Sequence, residues 1–186
     1  MVGLSTSQPI RPKPRVSSPT PETLITELSS SARHFLSQPD GAAYFQEARA
    51  LFETGIARLA AARATPEDIE RLRQALEANI AARGDRARFE RTDVAFHYVL
   101  ATIAKNPIFT AVHDALVEWL TSQRTLSLRV PGAEKGAAEA HRRVYEAVAA
   151  RDPEAAARAM EDHLKEVAAL VRRSKEGKAD APHHLR

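Results

Sequence analysis

Two residues that could hold a metal ion lie one helical turn apart in the middle of the chain. Asp93 and His97 are four positions apart in a segment whose apolar residues recur at helical spacing. Side chains four positions apart project from the same face of an α-helix. The other members of that face are apolar: Phe89, Phe96, Leu100 and Ile103. Burying a polar group without a partner costs on the order of 2–7 kcal/mol, so this pair needs compensation.

Two histidines take similar positions near the end of the chain. His141 and His163 each fall on an otherwise apolar stripe of a predicted helix, and each lies 11 residues from Asp152. Asp152 belongs to the break between the two helices. In an antiparallel helical hairpin, residues at equal distances from the turn lie at similar heights. We therefore expect the two imidazoles to face each other.

Together these side chains make a ligand set for a divalent metal. Three imidazoles and one carboxylate suit Zn, Ni, Mn, Fe or Co. Four protein ligands on three helices leave room for one or two waters, which a small anion can replace. The alternative for each histidine alone is a core imidazole hydrogen-bonded to a neighbour. The joint placement of all four residues favours the metal, with these ligands: Asp93, His97, His141 and His163.

The surrounding sequence predicts an all-α domain. The chain is rich in alanine, 44% hydrophobic and only 5% aromatic, a composition that favours helix over sheet. Proline, glycine and aspartate break the apolar periodicity into segments. The predicted helices span about 21–38, 42–63, 66–82, 85–104, 107–128, 134–150 and 153–174. We expect an antiparallel bundle of six or seven helices that encloses a metal and ligand cavity.

The ends of the chain differ in composition from this helical domain, which we expect over residues 22–174. Residues 1–21 carry five prolines among Ser, Thr and basic residues, which predicts a leader or linker. Residues 175–186 are polar and predict a flexible tail. The chain has no cysteine, which excludes disulfides and thiolate metal sites. No apolar run approaches the roughly 20 residues of a membrane span, and the net charge of +3 is too scattered to indicate nucleic-acid binding by itself.

Several motifs resemble a known family. The run from Asp93 to His97 is followed by Asn106-Pro107, and Glu139-Ala-His141 comes later. Arg151-Asp152-Pro153-Glu154 then leads to Met160-Glu-Asp-His163, and an early motif runs from Phe45 through Arg49 to Glu53. These motifs resemble the C-terminal effector-binding (FCD) domain of FadR-type GntR transcriptional regulators, over about residues 22–174.

The resemblance implies a ligand-responsive transcriptional regulator rather than an enzyme. It implies a metal held by the same four residues, with zinc as the first expectation and nickel, manganese or iron as alternatives. A small organic acid is expected to complete the coordination. Arg49 is expected either to bind the effector carboxylate or to form an ion pair with Glu53 at i+4. The protein is expected to be a cytoplasmic homodimer.

DNA binding in that family belongs to an N-terminal winged helix-turn-helix, which this sequence does not show. Residues 1–21 are therefore also a candidate remnant of the wing. Two alternatives to a sensor remain at this point. One is a helical-bundle metalloenzyme with a metal-activated water, which needs a general base near the metal. The other is a purely structural metal.

Overall fold

The bundle consists of helices joined by short turns. The computed structural model describes residues 41–128 and 130–179, with only the backbone at 42, 118–126 and 175–179. These residues form no strand and six helices: α1 (Gly41–Arg63), α2 (Pro66–Ala81), α3 (Arg86–Ile103), α4 (Pro107–Ser127), α5 (Ala133–Ala149) and α6 (Pro153–Ala179). The all-α prediction is confirmed. The predicted leader, the predicted helix over about 21–38 and residues 180–186 lie outside the described residues.

Short polar residues begin the helices where the sequence places them. Thr65 accepts a hydrogen bond from the backbone N–H of Asp68 at 3.2 Å, and the Asp68 carboxylate accepts one from the Thr65 N–H at 3.0 Å. Asp85 and Asp152 each accept from the N–H three residues onward, at 3.0 and 2.9 Å. These bonds satisfy N–H groups that the first helical turn leaves without a partner. The starts of α2, α3 and α6 are therefore encoded locally.

The last helix is longer than the sequence predicts. We expect it to end at residue 174, but α6 continues to Ala179. The added residues are Lys-Glu-Gly-Lys-Ala, and no proline interrupts the chain before Pro182. Lysine, glutamate and alanine are good helix formers, so a polar composition alone does not end a helix. The tail predicted over 175–186 is thus helical for its first five residues.

The helices pack around a common core. α6 contacts α1, α4 and α5, α2 contacts α3 and α5, and α3 contacts α1 and α4. The core includes these buried side chains: Ile56, Leu72, Leu76, Phe96, Leu100, Ile103, Val144, Val148, Met160 and Leu164. Across the α5–α6 hairpin, Arg143 donates to Glu166 at 3.0 Å. None of the helices in the described part of the chain is long and apolar enough to cross a membrane.

Candidate metal centre

Three helices bring the predicted histidines together inside the bundle. His97 lies on α3, His141 on α5 and His163 on α6, and all three are buried. One ligand nitrogen from each lies within 4.8 Å of the other two. The His141 and His163 ring centroids are 4.7 Å apart, and the His97 ring lies 5.1 Å and 5.5 Å from them. The α5–α6 hairpin therefore brings its two imidazoles together, with their ring planes 66° apart, as their equal distance from the turn predicts.

Asp93 lies at the edge of this group. Its side chain is one turn before that of His97 on α3, and its Oδ1 is 3.5 Å from Nε2 of His141. The carboxylate is largely buried, with 8% of the residue exposed. Three of the four residues that the sequence singles out thus form one buried group, and Asp93 approaches it at His141. Its carboxylate lies on one side of the three imidazoles.

Asn79 orients the imidazole of His141. Its Oδ1 lies 3.0 Å from Nδ1 of His141, and its Nδ2 faces oxygen acceptors, the Thr92 hydroxyl at 3.1 Å and the Phe89 carbonyl at 3.4 Å. Because the amide nitrogen is directed at acceptors, the amide oxygen accepts a hydrogen bond from Nδ1–H. Nδ1 of His141 therefore carries a proton, and its Nε2 lies on the side of Asp93. Such outer partners fix the tautomer of metal-binding histidines.

A buried chain of charged groups orients His97. Nε of Arg49 donates to Oε1 of Glu53 at 2.6 Å, and Nδ1 of His97 lies 2.7 Å from Oε2 of the same carboxylate. Burial raises the pKa of Glu53, but Arg49 and then His97 outweigh it and hold that pKa well below its usual value. Glu53 is therefore an anion that lies between the guanidinium of Arg49 and Nδ1 of His97. Nε2 of His97 is left for a ligand.

His163 completes the group in its neutral form. Burial, reinforced by the nearby His141 and His97, lowers its pKa well below 6.5, and the Asp93 carboxylate opposes this only in part. Nδ1 of His163 and Nε2 of His97 are buried and have no hydrogen-bond partner among the described residues. A buried polar atom without a partner costs about 1–3 kcal/mol. Neutral imidazole nitrogens with free lone pairs fit a divalent metal, which would supply that missing partner.

Two further buried residues, Arg49 and His113, lie outside the group of three imidazoles. Arg49 is buried and forms the i+4 ion pair with Glu53, the alternative to direct effector binding. His113, which the sequence gave no reason to select, is also buried, with its ring 5.5 Å from that of Tyr98. Burial and then the charge of His97 lower its pKa. It lies outside the group of three imidazoles whose nitrogens are within reach of one ion.

The sequence analysis missed Asn79, and it gave Glu53 only as a partner of Arg49 and not of His97. Glu53 lies four positions after Arg49 and follows Phe45 by eight, so it shares the buried face of α1. Asn79 lies seven positions after Leu72 on the buried face of α2 and is fully buried itself. The same criterion that selected the ligands, a polar residue on an apolar stripe, applies to both. The sequence does not show which histidine each of them meets, because the contacts join different helices.

A family model described as the FCD domain matches residues 45–166. The chain belongs to the FCD family. The matched region contains all four predicted ligands and the Arg49–Glu53 pair, so the buried cluster lies within the domain that defines the family.

Curated relatives and solved structures agree with this assignment. The chain is 44% identical over 158 residues to the HTH-type transcriptional repressor NanR of Cronobacter sakazakii, covering 82% of the chain and 60% of that protein. It is 43% identical over 160 residues to NanR of Klebsiella aerogenes, covering 85% and 62%. The chain thus spans about three-fifths of the length of these relatives.

Among solved structures, Streptococcus agalactiae GntR aligns with a TM-score of 0.61 and 24% identity, covering 80% of this chain and 65% of that one. E. coli McbR/YncC aligns with a TM-score of 0.66 and 16% identity, covering 74% and 67%. At these identities the likeness concerns the fold alone.

Proposed function

We propose that this chain is the effector-sensing and dimerising domain of a transcriptional regulator and that it holds a divalent metal in its core. The observation that carries the proposal is the buried group of His97, His141 and His163, with Asp93 at its edge. This group lies in an FCD domain whose relatives are named transcriptional repressors. For the whole protein we propose that it regulates transcription by binding DNA. We also propose that it is cytoplasmic.

The ligands proposed for the metal are Asp93, His97, His141 and His163. Zinc is the first expectation, and nickel, manganese or iron are compatible with nitrogen and carboxylate donors. The outer partners support this assignment, because Asn79 and Glu53 each contact Nδ1 of an imidazole, which directs its Nε2 to the centre of the group. Ligands on three rigid helices leave coordination positions for water or for an effector.

The effector proposed is a small organic acid whose carboxylate replaces metal-bound water. Arg49 is the candidate for its second contact. The bond to Glu53 uses Nε of Arg49, and the Nη groups of a guanidinium are donors that match carboxylate geometry. Because α1, α3, α5 and α6 all contribute to the cluster, a ligand there can favour one helix arrangement over another. That preference would change the separation of two DNA-binding domains in a dimer.

The metalloenzyme alternative is less well supported. Its general base would have to be a carboxylate near the metal, and Glu53, which the sequence suggested only as a partner of Arg49, is a buried one. Its pKa is held well below the usual value by Arg49 and His97, against the effect of burial. A base of such low pKa accepts a proton poorly near neutral pH. The names of the relatives point to repression rather than to catalysis.

The test combines elemental analysis with a thermal-shift screen of small carboxylic acids. The purified chain should contain about one divalent metal per chain, and His141→Ala should lose it together with any acid-induced shift. His113→Ala is the matched control, because it removes a buried imidazole outside the group and should leave the metal in place. Full metal occupancy in His141→Ala would refute the site. Metal binding without a thermal shift in any acid would support a purely structural metal. Turnover of esters or amides by the metal-loaded chain would support the metalloenzyme alternative.

A further inference from the structure

A cleft opens at the end of the bundle where the turn between α2 and α3 meets the segment that joins α4 to α5. It has a volume of about 670 Å³ and is lined by residues of both connections and of the first turns of α3 and α5. Pockets that hold small molecules have volumes of about 300–1,000 Å³. This one, which we call the basic cleft, is therefore large enough for such a ligand.

The charged side chains that line the basic cleft are mostly positive. Arg83 and Arg86 lie on one wall and Lys135 on the other, against a single lining carboxylate, Glu134. All three cations are exposed. Glu134 accepts a hydrogen bond from the backbone N–H of Gly84 at 2.7 Å, and this bond joins the two walls. The carboxylate thus holds the cleft in shape, and positive charge remains in excess.

The three cations have no acidic partner in the described part of the chain. Arg83 uses Nε to donate to the Ile80 carbonyl at 3.1 Å, which leaves its Nη groups for other acceptors. Neither Arg86 nor Lys135 forms an ion pair with a residue that the structure describes. Other basic side chains on the surface do lie in ion pairs: Arg58 with Glu154, Arg73 with Glu70 and Arg143 with Glu166. The cations of the basic cleft are therefore available to an external anion.

The start of α3 carries positive charge where it does not stabilise the helix. Its first turn contains Arg86 and Arg88 and no acidic residue. The first turn of α2, by contrast, contains Glu67 and Asp68. Cations near the N-terminus of a helix oppose its dipole and destabilise it. A local choice that works against the fold is typical of a residue retained for binding.

The floor of the basic cleft is apolar. It consists of Leu128, Val130, Pro131 and Ala133. Leu128 and Ala133 are buried and belong to one small apolar cluster with Phe89, and Val130 packs against that cluster. An apolar floor beneath exposed cations suits a ligand that has both an anionic group and an apolar part.

We propose that the basic cleft binds a small phosphorylated organic molecule, with its phosphate at Arg83, Arg86 and Lys135 and its apolar part on the floor. A phosphate group carries a charge of about −1.5 to −2 at pH 7 and three acceptor oxygens, so it matches three cations better than a carboxylate does. Arginine also binds phosphate oxygens in pairs. The volume and the apolar floor favour a small molecule over a nucleic-acid strand, whose backbone presents phosphates but no apolar group.

The basic cleft is separate from the candidate metal centre. It touches α5 at Ala133, and the eight residues from there to His141 correspond to about 12 Å along the helix. The proposal therefore depends neither on the metal nor on the organic acid proposed for it. A ligand in the cleft would contact the first turns of α3 and α5, the helices that carry His97 and His141.

Glycine amide resonances test the site in the ¹⁵N-labelled full chain. Gly84 and Gly132 line the basic cleft, whereas Gly55 lies on α1. Titration with phenyl phosphate should shift the resonances of Gly84 and Gly132 and leave that of Gly55 in place. Inorganic phosphate lacks the apolar part and benzoate lacks the second charge. Both should therefore bind more weakly than phenyl phosphate, by roughly threefold or more.

Matched variants separate this site from general charge effects. Arg86→Gln combined with Lys135→Gln should weaken phenyl phosphate binding by roughly tenfold or more. Arg158→Gln is the control, because it removes an exposed arginine near the opposite end of α6, and it should leave the affinity unchanged. All three positions are exposed, so circular dichroism should show the same melting temperature for both variant chains. His141→Ala should bind phenyl phosphate as tightly as the unaltered chain.

Four outcomes would overturn the proposal. Resonances of Gly84 and Gly132 that do not move would show that the cleft binds no phosphate. Loss of the shifts in His141→Ala would show that phosphate binds through a metal. Equal weakening by Arg158→Gln would show an effect of net charge only. A DNA duplex that moves the same resonances at a lower concentration than phenyl phosphate would assign the cleft to nucleic acid.

Discussion

The buried chain from Arg49 through Glu53 to His97 makes a quantitative prediction about stability. The Glu53 carboxylate lies 2.6 Å from Nε of Arg49 and 2.7 Å from Nδ1 of His97. The side chains of Arg49, Glu53 and His97 are only 5%, 8% and 4% exposed. Glu53→Gln keeps the shape of the side chain and removes its charge. The guanidinium of Arg49 is then left in the core without a counter-charge.

The expected loss follows from the burial of this pair. Two unit charges 4 Å apart interact by about 4 kcal/mol at an effective dielectric constant of about 20. Removing one partner of a buried ion pair costs about 3–5 kcal/mol in comparable cases. Since about 1 kcal/mol corresponds to about 2–4 °C in a domain of this size, Glu53→Gln should lower Tm by about 6–20 °C.

The assay is urea unfolding of the metal-free chain, with chelator present throughout so that metal affinity does not enter the result. Arg49→Met and the double variant with Glu53→Gln complete a thermodynamic cycle. The double variant should lose clearly less than the sum of the two single losses, because it leaves no uncompensated charge. Glu70→Gln, which breaks an exposed pair with Arg73, is the control and should produce no measurable change.

Two results would refute this account of the Arg49–Glu53 pair. One is a loss below about 1 kcal/mol for Glu53→Gln, which is the range of an exposed ion pair. The other is strict additivity in the cycle, which would mean that the two side chains stabilise the fold independently.

Three further predictions concern the same core. Asn79→Ala removes the acceptor that orients His141, so metal affinity should fall about 10–100-fold in a chelator competition, and an unchanged affinity would contradict that role. Asp152→Ala removes the N-cap of α6 and should cost about 1 kcal/mol in urea unfolding, whereas Asp162→Ala on the exposed side of α6 should cost almost nothing. In the metal-free chain, burial lowers the pKa of His163 below 6.5. As the pH falls, His163 therefore binds a proton in the unfolded chain before it does so in the folded chain. Its contribution to stability should be complete above about pH 6.5 and should decline as the pH falls toward the folded-state pKa; stability that rises on acidification would be the contrary result.

The ligand candidates could be found from the sequence because helical spacing is local. Asp93 and His97 share a face whatever the helix packs against, since four residues make about one turn. The equal distances of His141 and His163 from Asp152 depend only on a tight turn between two helices. The structure bears out that prediction with ring centroids 4.7 Å apart. By contrast, polarity was a poor guide to the end of α6, which runs to Ala179.

The partners of those ligands could not be found in the same way. Glu53 contacts His97 across α1 and α3, and Asn79 contacts His141 across α2 and α5. These pairs are 44 and 62 residues apart in the chain. No local rule relates side chains at such separations. His113 lacks any ligand-type neighbour at i+3 or i+4, and its burial likewise depends on how α4 lies in the bundle.

The sequence by itself therefore determined the six described helices, most of their boundaries to within a turn, and four polar residues on apolar stripes. These properties depend on periodicity, capping and turn residues, which act over a few positions along the chain. Only the tertiary structure decided that Glu53 lies against Nδ1 of His97 and that Asn79 lies against Nδ1 of His141. Those features arise where side chains from separate helices meet in a space without water, and there hydrogen bonds and charges set the tautomer and ionisation of each group.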